Sequence, residues 1–329
     1  METIIVGGRR YSDPDIVSLI RQTGQLVDPR SAVVHQAKQL NNEYRSFEAQ
    51  AEPFERLKII ASLRGLDVAE MDSRLSSREE RDAVLIPAIR PKRSLILYNP
   101  SRQPGRIAFS VAHEIAHTFF PNSISGARFR TMCDPDSREG NELERLCDLA
   151  ASELLMPVED FLKARGQEMG LRIVERLSTI FGSSYESTVF RLATSYEGPA
   201  AAGLLRYRLN KSEQKASRVA GRQQPLFPES VPRPTDAPSK KYRRQSFYSS
   251  ERCGLEHLVP WNKSFDPSSA VYVAGRSTAM QHNVESLPSQ INVRGNLEAV
   301  RAPYQREHAD PIFGDVLFLW WTLEANQPG

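Results

Sequence analysis

Two histidines four residues apart inside an apolar run constrain this chain more than any other feature. The run from Phe109 to Phe120, FSVAHEIAHTFF, reads as one amphipathic helix and contains His113-Glu114-x-x-His117. Residues four apart on a helix stand on one face, about a turn apart, so both imidazoles reach a single metal ion. Neutral imidazoles suit zinc, and Glu114, beside the first of them, is placed to take a proton from water at the metal. The string is short enough to arise by accident, so its surroundings decide. Ala112, Ile115, Ala116, Phe119 and Phe120 make the helix largely buried, and a buried helix does not hold two histidines and a glutamate unless they have partners. The layout is that of a zinc hydrolase.

A catalytic zinc usually takes three protein ligands and leaves a fourth position to water, so a third ligand is required. Beyond a loop rich in Ser, Arg, Gly and Pro, the run Asn141 to Pro157, NELERLCDLAASELLMP, has helical spacing. Leu143, Leu146, Cys147, Ala150, Leu154 and Leu155 form its inner side, and Glu144 and Glu153 are the acidic residues available to face inward. Upstream, Ala83 to Ile86 and Ser94 to Tyr98 read as short strands. Asn99, Pro100, Pro104 and Gly105 turn the second of them into the histidine helix. The edge of that strand, SLILY, either pairs with an extended substrate backbone or simply packs the helix.

HEIAHTFF followed by ERLCDLAASELLMP resembles the ImmA/IrrE family of bacterial metallo-endopeptidases, gluzincin-like zinc enzymes. That family pairs a His-Glu-x-x-His helix with a later Glu-x-x-Ala-Asn-x-x-Ala-x-Glu-Leu-Leu-Met-Pro helix. The resemblance is strongest from about Ser94 to Pro157. By position it implies His113, His117 and Glu144 as zinc ligands and Glu114 as general base, with Glu153 on the family's second, non-ligand glutamate. Two residues depart from the pattern. Cys147 stands where the family often has Ala; a thiolate is a good zinc ligand, but because the residue shares the helix's apolar row it is expected to be a small buried residue. Asp148 stands where Asn is frequent, one turn from Glu144, and either orients a ligand or pairs with an arginine. Tyr98, Tyr185 and Tyr196 are the candidates for an oxyanion donor.

The expected fold class is α+β: a mainly helical zincin-like peptidase core with a small sheet, a helix-turn-helix-like segment and a separate β-rich C-terminal domain. The peptidase domain spans 1–165, with helical patterning at Pro14 to Ile20, Ser31 to Phe47 and Phe54 to Leu63, the last stopped by Gly65. Residues 166–209 include Leu171 to Tyr196, two helices around a Gly-Ser-Ser turn. Arg191 is the only cation on the exposed face of its second helix, which favours a structural or protein-docking role over DNA binding. Ala200 to Leu209 forms a strand or a short helix. Residues 210–245, dense in Lys, Arg, Gln, Ser and Pro, read as a basic linker. Residues 246–329 read as a β-rich domain, a sensor or docking module, with strands at Ala270 to Ala274, Ile291 to Val293, Leu297 to Val300 and Asp315 to Trp321. His257, His282 and His308 lack ligand spacing.

Composition narrows the function classes. A formal charge of +3 over 329 residues is too mild to imply a nucleic-acid partner. METIIVGGRR has no positive region followed by an apolar core, so no secretory signal is expected. The late apolar run Val316 to Trp321 is too short for a bilayer. Three unpaired cysteines fit a reducing compartment, so a cytoplasmic location and no membrane partner are expected. The resemblance implies a zinc-dependent endopeptidase whose protein substrate is an Xre-type helix-turn-helix repressor, acting in a stress or mobile-element response. The alternative is a DNA-binding or docking regulator whose zinc is structural.

Overall fold

The structure, a computed structural model, describes residues 3–23, 28–47, 51–72, 82–88, 93–120, 138–222, 239–250, 253, 259–260, 263–289, 293–304 and 310–322. The chain divides into two units. One takes residues 1–166 and 175–187, the other 167–174 and 188–329.

The first unit opens with a hairpin, β1 (Ile4–Val6) and β2 (Arg9–Tyr11), turned by Gly7 and Gly8 at positive φ. Helices α1 (Pro14–Gln22), α2 (Pro29–Ser46) and α3 (Pro53–Leu63) follow, each with proline in its first turn, where the missing N–H costs nothing. Asp13 and Asp28 cap the first two through their side chains. The α3 helix stops at Gly65, whose φ of 70° is easily reached only without a Cβ, and the chain passes at once into β3 (Leu66–Glu70). With β4 (Ala83–Ile86) and β5 (Ser94–Tyr98), β3 makes a sheet of order β3-β5-β4, in which β3 runs parallel to β5 and β4 antiparallel.

That order separates the two readings of SLILY in favour of packing. SLILY is the middle strand, hydrogen-bonded on both sides, so it has no free edge to offer; the outer strands are β3 and β4. Leu66 to Glu70 carries too little alternation, LDVAE, to have stood out as a strand in the sequence.

Helix α4 (Pro104–His117) lies against β4 and β5 and packs along α5 (Arg138–Leu155), which also packs against α2. Their apolar faces form the core of this unit: Val111, Ala112, Ile115 and Ala116 from one helix, Leu146, Ala150, Ala151 and Leu154 from the other, all almost fully buried. A short helix, α6 (Val158–Arg165), comes next. A turn of 3-10 helix at Leu171–Ile173 leads into α7 (Val174–Phe181), and Gly182 to Ser184 turn the chain into α8 (Tyr185–Thr194). Two helices therefore flank the Gly-Ser-Ser turn. Arg191, read from the sequence as an exposed cation, is only 5% exposed, because the helix turns that face inward. Gly105 fixes the start of α4: a Cβ there would lie 2.5 Å from the backbone of Ser183 and Ser184.

The second unit is built on an antiparallel sheet of order β7-β6-β10-β9-β8: β6 (Ala200–Arg208), β7 (Lys241–Ser249), β8 (Gln281–Ser286), β9 (Arg294–Arg301) and β10 (Val316–Trp321). Its core collects Tyr242, Val271, Leu297, Phe318 and Trp320. Residues 270–274, expected as a strand, belong instead to helix α10 (Ala270–Arg276). The Ser269 hydroxyl accepts from the Val271 N–H, and Gly275 lets the helix settle onto the Tyr242 ring. The segment read as a linker holds helix α9 (Lys211–Arg222) and the start of β7, while 223–238 lies outside the described residues. Glu213 of α9 receives two hydrogen bonds from the buried Arg243 of β7, at 2.8 and 3.0 Å. The basic character that suggested a solvated arm is here partly spent on this internal pair. Of Ile291 to Val293, only Val293 is described, and the loop 121–137 is also outside the described residues.

Candidate metal centre

Three side chains from α5 meet two from α4. His113 and His117 stand one turn apart, their rings 4.8 Å between centroids and nearly perpendicular. The Glu144 Oε2 is 3.1 Å from Nε2 of His113, and Asp148 Oδ1 is 2.9 Å from its Nδ1. The Cys147 Sγ is 3.1 Å from Nδ1 of His117. His117 and Cys147 are buried, whereas the Glu144 and Asp148 side chains keep 36% and 32% of their exposure, so the centre is open on the carboxylate side.

Glu114, whose charge acts on His113, also reaches the sheet. Its Oε2 accepts a hydrogen bond of 3.0 Å from the backbone N–H of Leu85, on β4. The residue following His113 thus faces the edge strand, because one step along a helix rotates a side chain by about 100°.

Both helices are held at their ends. Arg64 donates to the Thr118 carbonyl at 2.6 Å and to its hydroxyl at 3.1 Å, closing the C-terminus of α4. Arg56 donates to the carbonyls of Leu154 and, at 3.0 Å, Leu155, closing that of α5. Burial lowers the pKa of both guanidiniums, yet a cation at a helix C-terminus meets the negative end of the helix dipole. Glu153, the second acidic residue of α5, is 2% exposed and takes its hydrogen bond from the Val158 N–H at 3.1 Å, capping α6. Its position in the fold is structural. Asn41 of α2 donates to the Glu153 carbonyl at 3.0 Å, which ties the same corner to a third helix.

The donor set fits a metal ion. Among the described residues, one donor atom each from His113, His117 and Cys147 lies within 4.8 Å of the others, and Glu144 adds an oxygen beside His113. Nitrogen, oxygen and sulfur donors of these types are those that zinc accepts. The electrostatics agree. Burial works to lower the His113 pKa, but the hydrogen bonds its ring donates to Asp148 and Glu144 and the charges of Asp148 and Glu114 overcome it and push it up to about 10. The surroundings therefore favour positive charge at this point.

Of the residues singled out in the sequence, the structure brings His113, His117, Glu144 and Asp148 into one cluster and turns Glu114 toward Leu85. Cys147, read as a small buried residue in preference to a metal ligand, is buried and also joins the cluster. Its spacing three residues after Glu144, on the same face, was the available signal. The tyrosines are less favourable. The Tyr98 hydroxyl donates to Glu70 at 3.0 Å, and burial reinforced by that bond pushes its pKa up to about 12. The Tyr196 hydroxyl donates to the Thr322 carbonyl at 3.1 Å.

Comparison with known proteins agrees with the sequence resemblance. No curated protein matches the chain. A solved structure, a Mycobacterium tuberculosis transcriptional regulator, is similar over 94% of this chain and 80% of its own, with a TM-score of 0.55 and 13% identity, a likeness of fold. Residues 62–193, which hold the sheet, both site helices and the helix pair after them, match the peptidase family model described as the IrrE N-terminal-like domain. Over residues 62–193 the chain is therefore similar to the IrrE N-terminal-like peptidase domain.

Proposed function

We propose that the chain is a zinc-dependent endopeptidase of the His-Glu-x-x-His type, with His113, His117 and Glu144 holding the metal and Glu114 acting as general base. The observation that carries this reading is the meeting of α4 and α5: two imidazoles from one helix against Glu144 and Asp148 from the next, inside a peptidase-family domain. A bound zinc supplies Lewis acidity, activating water near neutral pH and polarising the scissile carbonyl. Glu114 takes the proton of the attacking water and delivers it to the leaving amine. Its anchorage on the Leu85 N–H sets the carboxylate beside the outer edge of β4, which has no further strand partner among the described residues and is open in this reading to an extended peptide. Asp148 holds the ring of His113.

The substrate in this reading is a helix-turn-helix transcriptional repressor of the Xre type, in a stress or mobile-element response, as the family resemblance implies. The domain arrangement we propose keeps residues 1–165 as the peptidase and the sheet of the second unit as a gate or dock. Among the described residues no helix is long and apolar enough to cross a membrane, and we assign the chain to the cytoplasm. A second reading, a regulator whose metal is structural, draws on the fold shared with a protein named as a transcriptional regulator.

The test is to incubate the zinc-loaded full chain with helix-turn-helix repressors from its own source and map the fragments by mass spectrometry. Cleavage at a defined bond, abolished by a chelator and restored by zinc, is expected. Intact repressors, together with salt-dependent retention of duplex DNA by the chain, would establish the regulator instead.

A further inference from the structure

The unusual residue of the centre is Cys147. It is fully buried, and its Sγ lies 3.1 Å from Nδ1 of His117. The next residue, Asp148, places Oδ1 2.9 Å from Nδ1 of His113. Two consecutive side chains of α5 thus each address the same ring atom of one of two histidines a turn apart on α4. We propose that Cys147 is a positioning residue for His117: its sulfur accepts from the Nδ1–H, fixing the ring and its tautomer so that Nε2 faces the metal. This rests on the metal-centre reading above.

The chemistry follows from the imidazole. A neutral ring has one N–H and one lone pair, so a partner that holds the hydrogen on Nδ1 leaves the lone pair on Nε2. Metal-bound histidines commonly give the other N–H to a carboxylate, carbonyl or water. Asp148 supplies this to His113 as an anion, and the sulfur supplies it to His117 as a weaker acceptor. An alanine at 147 has no polar atom to reach Nδ1. The rival role for the thiol is a direct ligand. With both histidines and Glu144 it would give four protein ligands and a closed centre, which is the arrangement of structural rather than catalytic zinc. Sulfur at Nδ1 sits on the side of the ring away from Nε2, so the two roles exclude each other.

Three measurements on the full chain decide between them. In the zinc-loaded protein, long-range nitrogen-15 NMR of the histidine rings is expected to show His117 protonated at Nδ1 and metal-bound through Nε2. The cobalt-substituted protein is expected to lack a thiolate-to-metal charge-transfer band in the near ultraviolet. Cys147→Ala is expected to weaken zinc binding about tenfold, with partial recovery in Cys147→Ser, whose hydroxyl can still accept. A charge-transfer band that disappears in Cys147→Ser, or metal on Nδ1 of His117, overturns the proposal and makes the thiol a ligand. Wild-type zinc affinity in Cys147→Ala overturns it in favour of packing alone. The NMR and cobalt measurements need no variant, so a Cys147→Ala protein that does not fold leaves them decisive. A wild-type chain that takes up no divalent metal removes the metal-centre reading itself, an outcome distinct from the others.

Discussion

Asp148 Oδ1 lies 2.9 Å from Nδ1 of His113, while Glu144, one turn earlier on the same helix, lies 3.1 Å from Nε2 of that ring. One imidazole is thus gripped at both nitrogens by a single helix, and the two carboxylates have different tasks. Removing Asp148 takes away orientation and leaves the donor set intact. Asp148→Ala is therefore predicted to lower zinc affinity about 10- to 100-fold, measured by competition with a chromophoric chelator. Asp148→Asn retains an oxygen that accepts from Nδ1 and is predicted to bind close to wild type. Equal affinity in Asp148→Ala would show that this contact does not set the ring.

Glu144→Ala is predicted to lose most of the zinc, read as metal per chain by elemental analysis. Losing a ligand removes a bond to the metal, whereas losing Asp148 only loosens one, so the two variants should separate clearly. Full zinc content in Glu144→Ala would shift the third ligand to Cys147.

Glu153 ties the end of α5 to the start of α6. Its carboxylate is 2% exposed and accepts from the Val158 N–H at the start of α6. Glu153→Ala is predicted to lower unfolding stability by about 1–2 kcal/mol, the cost of a lost cap, while zinc content stays at the wild-type level. Denaturant unfolding with parallel metal analysis checks both halves.

In the second unit, Trp320 is fully buried and its Nε1 donates to the Glu285 carbonyl at 2.9 Å. A Cβ on Gly295 would come within 2.6 Å of its ring, so the sheet is fitted closely around the indole. Trp320→Ala is predicted to destabilise this unit by about 3–5 kcal/mol, from the lost burial and the cavity left behind. Unfolding followed by calorimetry should show the loss as a lowered transition temperature. An unchanged transition would mean that the sheet is not held by this ring.

The site was more legible in the sequence than the architecture around it. Helical spacing alone put His113 and His117 on one face, and the run around Glu144 had an equally clear period, so both helices could be read. Which side chains of α5 meet which ring atoms depends on how two helices cross, and that is tertiary information. Cys147 shows the gap: its place in the apolar row was evident, its contact with His117 was not. SLILY looked like a strand and is one, but only pairing on both sides could show that it lies in the middle of its sheet. AVYVA at 270–274 has the β-branched and aromatic residues of a strand, yet Ser269 caps it and Gly275 allows it to sit on Tyr242, so tertiary packing overrode local preference.

The most direct test of the account is turnover by Glu114→Gln with its metal measured in the same sample. The substitution keeps the shape of the side chain and removes its ability to accept a proton. Zinc content equal to wild type, with repressor cleavage reduced about 10²- to 10⁴-fold, is the predicted result. Cleavage at the wild-type rate by the zinc-loaded variant would contradict the assignment of Glu114 as general base and, with it, the peptidase reading of this centre.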